Sequence, residues 1–393
     1  MISEQAKSVT DKLNSWPPEK TIEALANWAT SYNLPFAVYQ MPNQQHFTFL
    51  VGTSIQLIND DNLASINSGY LISSYEGEKY LIEQALIYNS EQGEIKLSAH
   101  WSSDINIDSI GDIDEPWQPY CIENKCDSSS HDEYLQYVTD CIDEINHSDL
   151  IKVVPSRVKK INLNKLNLSA LFLKLCNAYK NAYVSLLSTP NLGTWVGATP
   201  ESLIELDENG TFQTMSLAGT QVYNGQQELH TLPWTQKEIE EQAMVSRYII
   251  NRFKEIRLRE FLEVGPRTVQ AGNLAHLCTT FTVDTVATEF PDLGSVMLKL
   301  LHPTSAVCGM PKTPAQELIR EKEKHQRKLY AGYFGPVNMK EGSHIYVNLR
   351  CMQVGKDEAV LYAGGGVTAY SIAENEWEET EIKFKTLLNI IQD

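Results

Sequence analysis

The chain has 393 residues, of which 42% are apolar and 21% charged, and its formal net charge is −18. This length is enough for one large globular domain or two ordinary ones. The negative charge argues against nucleic acids and anionic membranes as partners, because both repel an acidic surface. No apolar segment approaches the roughly 20 residues needed to cross a bilayer, and the N-terminus lacks the pattern of a signal peptide. Seven cysteines without framework spacing fit a reducing compartment, so we expect a cytoplasmic protein.

The first 125 residues predict a mixed region in which no residue pattern points to chemistry. Apolar periodicity favours a helix near residues 18–32. Strand-like runs follow at residues 35–39, 46–51, 80–88 and 94–100.

The remaining two-thirds of the chain predict many strands with helices inserted between them. Tyr134, Val138, Cys141 and Ile142 recur at helical spacing, which predicts a helix over His131–His147. Further helices are expected near residues 235–260, before residue 303, at 314–327 and after residue 370. Strands are expected at 150–157, 183–188, 194–197, 202–206, 211–218, twice between 264 and 287, and at 330–337, 344–354 and 359–363. Because many strands form adjacent hairpin-like pairs, the pattern favours an α+β fold with large antiparallel sheets in one large domain.

Two of the predicted helices each carry a pair of carboxylates on one face. Glu376, Glu379 and Lys383 are spaced i, i+3 and i+7 in the last helix. Glu238 and Glu241 repeat the i, i+3 spacing in the helix that begins near residue 235. A solvated acidic face is the alternative for either pair alone. Together the pairs predict a Mg²⁺ site between two helices, because Mg²⁺ prefers oxygen ligands.

Three consecutive glycines at 364–366 separate the last predicted strand from the last helix. Glycine allows backbone angles that are closed to other residues and lets a ligand approach bare N–H groups. The segment therefore indicates a ligand-binding turn beside the acidic helix.

Four polar side chains in the predicted strands are candidates for chemistry. Lys152 lies between Ile151 and Val153, where it either points outward or projects into a cavity whose low polarity favours the neutral, basic amine. Glu201 begins a strand after a Thr-Pro turn and could equally be a polar turn residue. His276 alone reads as a satisfied core histidine. Arg350 ends an apolar run and needs a partner such as a carboxylate.

Taken together, these segments resemble the chorismate-utilising enzymes, which comprise isochorismate synthases, salicylate synthases, anthranilate synthase large subunits and aminodeoxychorismate synthases. The matching segments are 152–157 (KVVPSR), 197–201 (GATPE), 217–220 (LAGT), 237–242 (KEIEEQ), 275–277 (AHL), 302–312 (HPTSAVCGMPK), 330–335, Arg350, 364–366 and 376–383 (EWEETEIK). They cover the last two-thirds of the chain in order. Gln242 departs from the histidine that is usual in this family.

The resemblance implies a single domain of two packed antiparallel sheets with helices outside. Residues 1–125 would be a variable part of this fold, and residues 126–393 the catalytic region that binds chorismate. The resemblance also implies that Glu241 and Glu379 hold Mg²⁺ directly, while Glu238 and Glu376 assist through water.

The same resemblance implies how a small dianionic substrate, chorismate, would be held. The metal ion, the Gly365 and Gly366 N–H groups and Lys383 would bind its ring carboxylate. Arg350 and Tyr346 would bind the enolpyruvyl carboxylate. Ala218, His276 and Ala306 would complete the substrate-binding residues.

Within the family, the resemblance favours an isochorismate synthase. Anthranilate synthases resemble one another in having glutamine where Lys152 stands, so Lys152 would be the base that activates water and Glu201 the acid that protonates the leaving C4 hydroxyl. Ala218 stands in the LAGT segment where aminodeoxychorismate synthases carry a nucleophilic lysine. Ala306 replaces a threonine typical of pyruvate-eliminating members.

The alternatives are a salicylate synthase, an anthranilate synthase-like subunit and a non-catalytic chorismate-binding subunit. We expect a monomer without a glutaminase subunit. The product would enter menaquinone or siderophore biosynthesis, and the KVVPSR spelling and chain length resemble the menaquinone type more.

Overall fold

A computed structural model describes residues 2–59, 62–99, 101, 105–112, 116–163, 166–223, 225, 227–271 and 274–392. These residues contain eight α-helices and twenty strands. The helices are α1 (Ile2–Asn14), α2 (Pro18–Ser31), α3 (His131–His147), α4 (Leu168–Ala178), α5 (Gln236–Glu255), α6 (Leu293–Leu301), α7 (Lys312–Lys322) and α8 (Ala373–Gln392). None of the described helices is long and apolar enough to span a membrane, and all seven cysteines are free thiols.

The strands build two nine-stranded sheets and one two-stranded ribbon, and every strand pair is antiparallel. In chain order the strands are β1 (Phe36–Gln40), β2 (Thr48–Val51), β3 (Ile55–Ile58), β4 (Gly69–Ser73), β5 (Lys79–Glu83), β6 (Leu86–Asn89), β7 (Glu94–Leu97), β8 (Lys152–Val153), β9 (Ser156–Asn162), β10 (Tyr183–Thr189), β11 (Gly193–Thr199), β12 (Ser202–Leu206), β13 (Thr211–Val222), β14 (Leu262–Ala271), β15 (Leu274–Asp284), β16 (Gly309–Met310), β17 (Tyr333–Val337), β18 (Ser343–Val347), β19 (Cys351–Val354) and β20 (Glu358–Gly364). The first sheet has the order β7-β6-β2-β1-β10-β11-β19-β20-β9, and the second has the order β14-β15-β13-β12-β18-β17-β4-β5-β3.

The two sheets pack face to face, with helices on their outer faces. Along β1 the side chains alternate: Phe36 and Val38 belong to the core under α1, α2 and α4, whereas Ala37 and Tyr39 belong to the core between the sheets. Helices α5 and α6 cover the outer face of the second sheet. The predicted α+β architecture of two packed antiparallel sheets flanked by helices is therefore confirmed. Strands from the first 100 residues complete both sheets.

Several predicted strands are interrupted where the backbone must turn. The strand expected over 150–157 is divided at Pro155 into β8 and β9, because proline has no N–H to donate to a ladder. The strand expected over 344–354 is divided into β18 and β19 at Arg350, whose φ of 49° lies in the left-handed region. Helices α1 and α4 and strands β3 and β4 were absent from the sequence-based prediction.

Helix α8 is fixed to the first sheet by one buried arginine. Arg157 on β9 is 1% exposed, its Nε donates a hydrogen bond to Thr380 Oγ1 at 2.7 Å, and its Nη2 donates to Glu381. The guanidinium carbon also lies 3.5 Å from the centre of the Trp377 ring. All three partners lie on α8, so Arg157 sets the position of this helix on the sheet.

We predict that Arg157→Met lowers the free energy of unfolding by about 3 kcal/mol, because it removes a buried charge that is paired and stacked. Lys159→Met is the matched control: Lys159 also binds Glu381, at 2.8 Å, but its side chain is 32% exposed. Partly exposed pairs of this kind contribute less than about 1 kcal/mol. Urea denaturation of the two variants measures the difference. Equal losses of stability would contradict the assigned role of Arg157.

Candidate active site

One cavity of about 70 Å³ collects residues from most of the segments singled out in the sequence. Its lining includes nine of the predicted site residues: Glu201, Ala218, Glu241, His276, Ala306, Arg350, Gly366, Glu379 and Lys383. They come from β13, β15, α5 and α8 and from the turns around residues 201, 306, 350 and 366. The fold therefore brings together side chains that are distant in the sequence: Glu201 and Lys383 are 182 positions apart.

Glu201 lies in the turn between β11 and β12, where neighbouring backbone groups fix its position. Its N–H donates to Thr199 Oγ1 at 3.3 Å, and its carbonyl accepts the Val347 N–H at 3.0 Å. The residue is 6% exposed, and burial raises the pKa of its carboxyl to about 7, although the positive charges of Lys152 and Arg350 lower it in part. A carboxyl group of this kind can hold a proton near neutral pH and donate it.

Lys152 on β8 is 1% exposed, and its Nζ donates to Glu241 Oε1 at 2.7 Å. This contact depends on the glycine at position 366. A Cβ on Gly366 would lie 2.8 Å from both the Lys152 Cε and the Glu241 Oε1, a distance that side-chain carbons do not tolerate. Gly366 thus allows β8 and α5 to meet at the cavity wall.

Two further ion pairs involve α8: one joins it to α5, and the other lies within α8 itself. Lys237 Nζ lies 2.7 Å from Glu376 Oε1, and Lys383 Nζ lies 2.7 Å from Glu379 Oε1. Burial raises the pKa of Glu379, but the Lys383 ammonium offsets this and holds the pKa below its usual value. Burial, and then the charge of Glu379, raise the pKa of Glu376. Glu376 and Glu379 are thus each paired with a lysine, although the two carboxylates are close enough to influence each other.

His276 on β15 is a buried, neutral imidazole. Its Nδ1 lies 2.7 Å from the Gly219 carbonyl oxygen, which can only accept, so Nδ1 carries the proton. Burial, followed by the positive charge of Arg350, lowers the pKa of His276 to about 3. Its Nε2 is buried and has no hydrogen-bond partner among the described residues. The ring thus offers one free acceptor atom at the cavity.

The chain is similar to known proteins in sequence and in fold. The family model described as chorismate binding enzyme matches residues 65–392. The chain belongs to this family. It is 28% identical over 268 residues to the vibriobactin-specific isochorismate synthase of Vibrio cholerae serotype O1, an alignment that covers 66% of this chain and 67% of that protein.

Two further relatives are isochorismate synthases of Escherichia coli. The isochorismate synthase EntC of strain K12 is 28% identical over 203 residues, which are 50% of this chain and 51% of that protein. The solved structure of the menaquinone-specific isochorismate synthase MenF has a TM-score of 0.72 at 20% identity and covers 93% of this chain and 91% of that chain. The comparison with the MenF structure shows that the two proteins share a fold.

Five of the site residues predicted from the sequence of this chorismate-binding enzyme are not among the residues that line the cavity: Lys152, Glu238, Tyr346, Gly365 and Glu376. Lys152 and Glu376 are joined to α5 by ion pairs with Glu241 and Lys237. Tyr346 is not among the residues that line the cavity: its ring stacks on that of Tyr183 in the core, with centroids 4.1 Å apart. The Gly365 N–H donates to the Pro155 carbonyl at 3.2 Å and is not available to a ligand. Glu238 Oε2 accepts the Thr235 N–H at 2.8 Å, which makes it a helix cap of α5.

Tyr330 lines the cavity and was not predicted as a site residue. It precedes Ala331, whose φ of 60° turns the chain ahead of β17. That turn directs Tyr330 towards the same cavity as Arg350. A non-glycine residue in the left-handed region leaves no mark in the sequence that would reveal the turn.

We predict that Glu201→Gln stabilises the protein increasingly as the pH rises from about 4.5 to about 7. The pKa of Glu201 is higher in the folded state than in the unfolded state, so the wild-type protein loses stability over this range and the glutamine variant does not. A shift of this size corresponds to about 3 kcal/mol. Denaturant unfolding of both proteins at pH 4 and pH 8 measures the difference. A gain that is the same at both pH values would contradict the buried, raised pKa.

Proposed function

We propose that the chain is an isochorismate synthase, which converts chorismate to isochorismate. The observation that carries the proposal is the buried carboxyl of Glu201 in the wall of the cavity, with buried Lys152 near enough for its charge to lower the pKa of that carboxyl in part. A buried carboxyl with a pKa of about 7 can act as a general acid near neutral pH, and we assign Lys152 as the general base. Three relatives described above carry the same activity in their names, and the family is that of chorismate binding enzymes.

The cavity suits a dianion despite the net charge of −18. Arg350 and Lys383 supply positive charge at its wall, and Tyr330 supplies a hydroxyl. A guanidinium binds a carboxylate through two parallel hydrogen bonds, so we assign Arg350 to the enolpyruvyl carboxylate and give Tyr330 the role first expected of Tyr346. His276 would accept a hydrogen bond from a substrate hydroxyl through Nε2.

The carboxylates of α5 and α8 supply the oxygen donors that Mg²⁺ prefers, although lysines occupy them in this arrangement. Among the described residues, no three His, Cys, Asp or Glu side chains lie close enough together to hold a metal. Glu241 and Glu379 nevertheless both line the cavity. The Oε2 atom of Glu376 is buried without a hydrogen-bond partner, as expected of an oxygen that serves a further ligand.

We therefore propose that Glu241 and Glu379 hold Mg²⁺ directly and that Glu376 assists through water. When bound, the ion would supply a Lewis-acidic anchor for the ring carboxylate. The Gly366 N–H and Lys383 would support the same carboxylate. Glu238 has no part in this assignment, because its carboxylate caps α5.

In the proposed reaction, the Lys152 ammonium first gives up its proton, and the neutral amine then takes a proton from water as the water oxygen bonds to C2 of the ring. The C4–O bond breaks, and Glu201 donates its proton to the departing hydroxyl. Ala306 and Ala218 line the cavity and add no polar atom to it, so neither could provide the threonine or lysine chemistry of other family members. We therefore favour a reaction that stops at isochorismate over one that continues to salicylate.

We predict that purified protein with chorismate and Mg²⁺ gives a mixture of chorismate and isochorismate without pyruvate, and that a chelator stops the reaction. Lys152→Gln should lower turnover at least about 100-fold, because general base catalysis contributes that much or more. Chromatography of the products and titration of chorismate binding to the variant provide the two measurements.

The controls separate the alternatives. Stoichiometric pyruvate with salicylate would identify a salicylate synthase, and an aminated product on addition of ammonium salt would identify an anthranilate synthase-like enzyme. A Lys152→Gln variant with wild-type turnover would remove Lys152 as the base. Wild-type protein that binds chorismate without converting it would point to a non-catalytic binding subunit.

A further inference from the structure

The three carboxylates that the proposed function assigns to Mg²⁺ are each paired with a lysine at 2.7 Å. The pairs are Lys152–Glu241, Lys237–Glu376 and Lys383–Glu379. Three positive charges thus balance three negative charges. The cluster is neutral without any metal ion, so a divalent cation that arrived alone would leave two uncompensated positive charges in a largely buried region.

The three lysines differ in how easily their side chains can move away from the carboxylates into solvent. The Lys152 side chain is 1% exposed, and Lys383 is 17% exposed and also donates to the Gly364 carbonyl at 2.7 Å. Lys237 lies in the first turn of α5 with 40% of its side chain exposed, and Glu376 is its only partner among the ion pairs of the described residues. Lys237 can therefore move into water without crossing packed structure.

Glu376 has the opposite character. Its side chain is 1% exposed, and its Oε2 is buried without a partner. A buried carboxyl that stays ionised needs a positive charge nearby, and Lys237 supplies that charge when nothing else does. No described residue other than Lys237 forms an ion pair with Glu376.

We propose that Lys237 is a displaceable internal counter-ion of Glu376. It keeps the proposed Mg²⁺ site electrically balanced and makes tight Mg²⁺ binding depend on the substrate dianion. This inference rests on the Mg²⁺ site of the proposed function. A Mg²⁺ ion and a dianion add no net charge together, whereas the ion alone is repelled by Lys237. The lysine thus couples the retention of the metal to the presence of substrate.

The experiment is calorimetric titration of Mg²⁺ into substrate-free wild-type protein and into Lys237→Gln. We expect Lys237→Gln to bind Mg²⁺ about tenfold more tightly, since repulsion between a unit charge and a divalent ion a few ångströms apart is worth about this factor even at the dielectric constant of water. In the presence of a saturating equilibrium mixture of chorismate and isochorismate, the two proteins should differ by less than about threefold, because the dianion compensates the charge.

Three further variants separate the effect of the Lys237 charge from an effect on the protein structure. Lys237→Arg keeps the charge and should bind Mg²⁺ like the wild type, whereas Lys237→Met is a second charge-free variant that should behave like Lys237→Gln. Lys322→Gln is the matched control, because Lys322 has 38% side-chain exposure and one carboxylate partner other than its chain neighbour, Asp140 at 3.4 Å. Its removal should leave Mg²⁺ affinity unchanged. Thermal unfolding confirms that each variant is folded.

Equal or weaker Mg²⁺ binding by the two charge-free variants would overturn the inference and leave Lys237 with a structural role only. If neither the wild type nor the variants bound Mg²⁺ with or without substrate, both the proposed Mg²⁺ site and this inference would be wrong. The product assay would then decide separately whether the chain is an isochorismate synthase, so the two failures remain distinguishable.

Discussion

The whole site depends on the cost of burying charged groups. Lys152 and Glu376 are almost fully buried, and each would be strongly destabilising without an opposite charge at contact distance. Their partners, Glu241 and Lys237, both lie on α5, while Glu376 lies on α8. The position of α5 against α8 and β8 is therefore dictated by charge pairing. Gly366 permits this close approach, and Arg157 holds α8 in place on the first sheet.

The same constraint separates the chemical roles around the cavity. Arg350 contributes a fixed positive charge, and that charge helps to keep His276 neutral, whereas burial keeps the proton on Glu201. Acid, acceptor and cation thus lie at one cavity with distinct protonation states. This division is what a reaction needs if it adds water at one carbon atom and expels a hydroxyl from another. Neither the fold nor the net charge of the chain would reveal it.

The sequence predicted the fold class because short apolar runs separated by Pro and Gly turns mark adjacent antiparallel strands, as in β10 and β11. Motif resemblance located most of the cavity, including Glu201, Glu241 and Glu379. Motif resemblance failed where tertiary contacts decide which way a side chain points. Glu238 has the same i, i+3 spacing as a metal pair but serves as a cap, and Tyr346 alternates into the core between the sheets. Helical or strand periodicity gives the face of a side chain but not its partner.

Reaction of chorismate in water enriched in ¹⁸O tests the central claim most directly. If Lys152 activates a water molecule that attacks C2, the isochorismate formed carries one ¹⁸O atom in its C2 hydroxyl group, which mass spectrometry of the product detects. Isochorismate without the label would mean that the original hydroxyl migrates within the molecule. That result would contradict the roles assigned to Lys152 and Glu201.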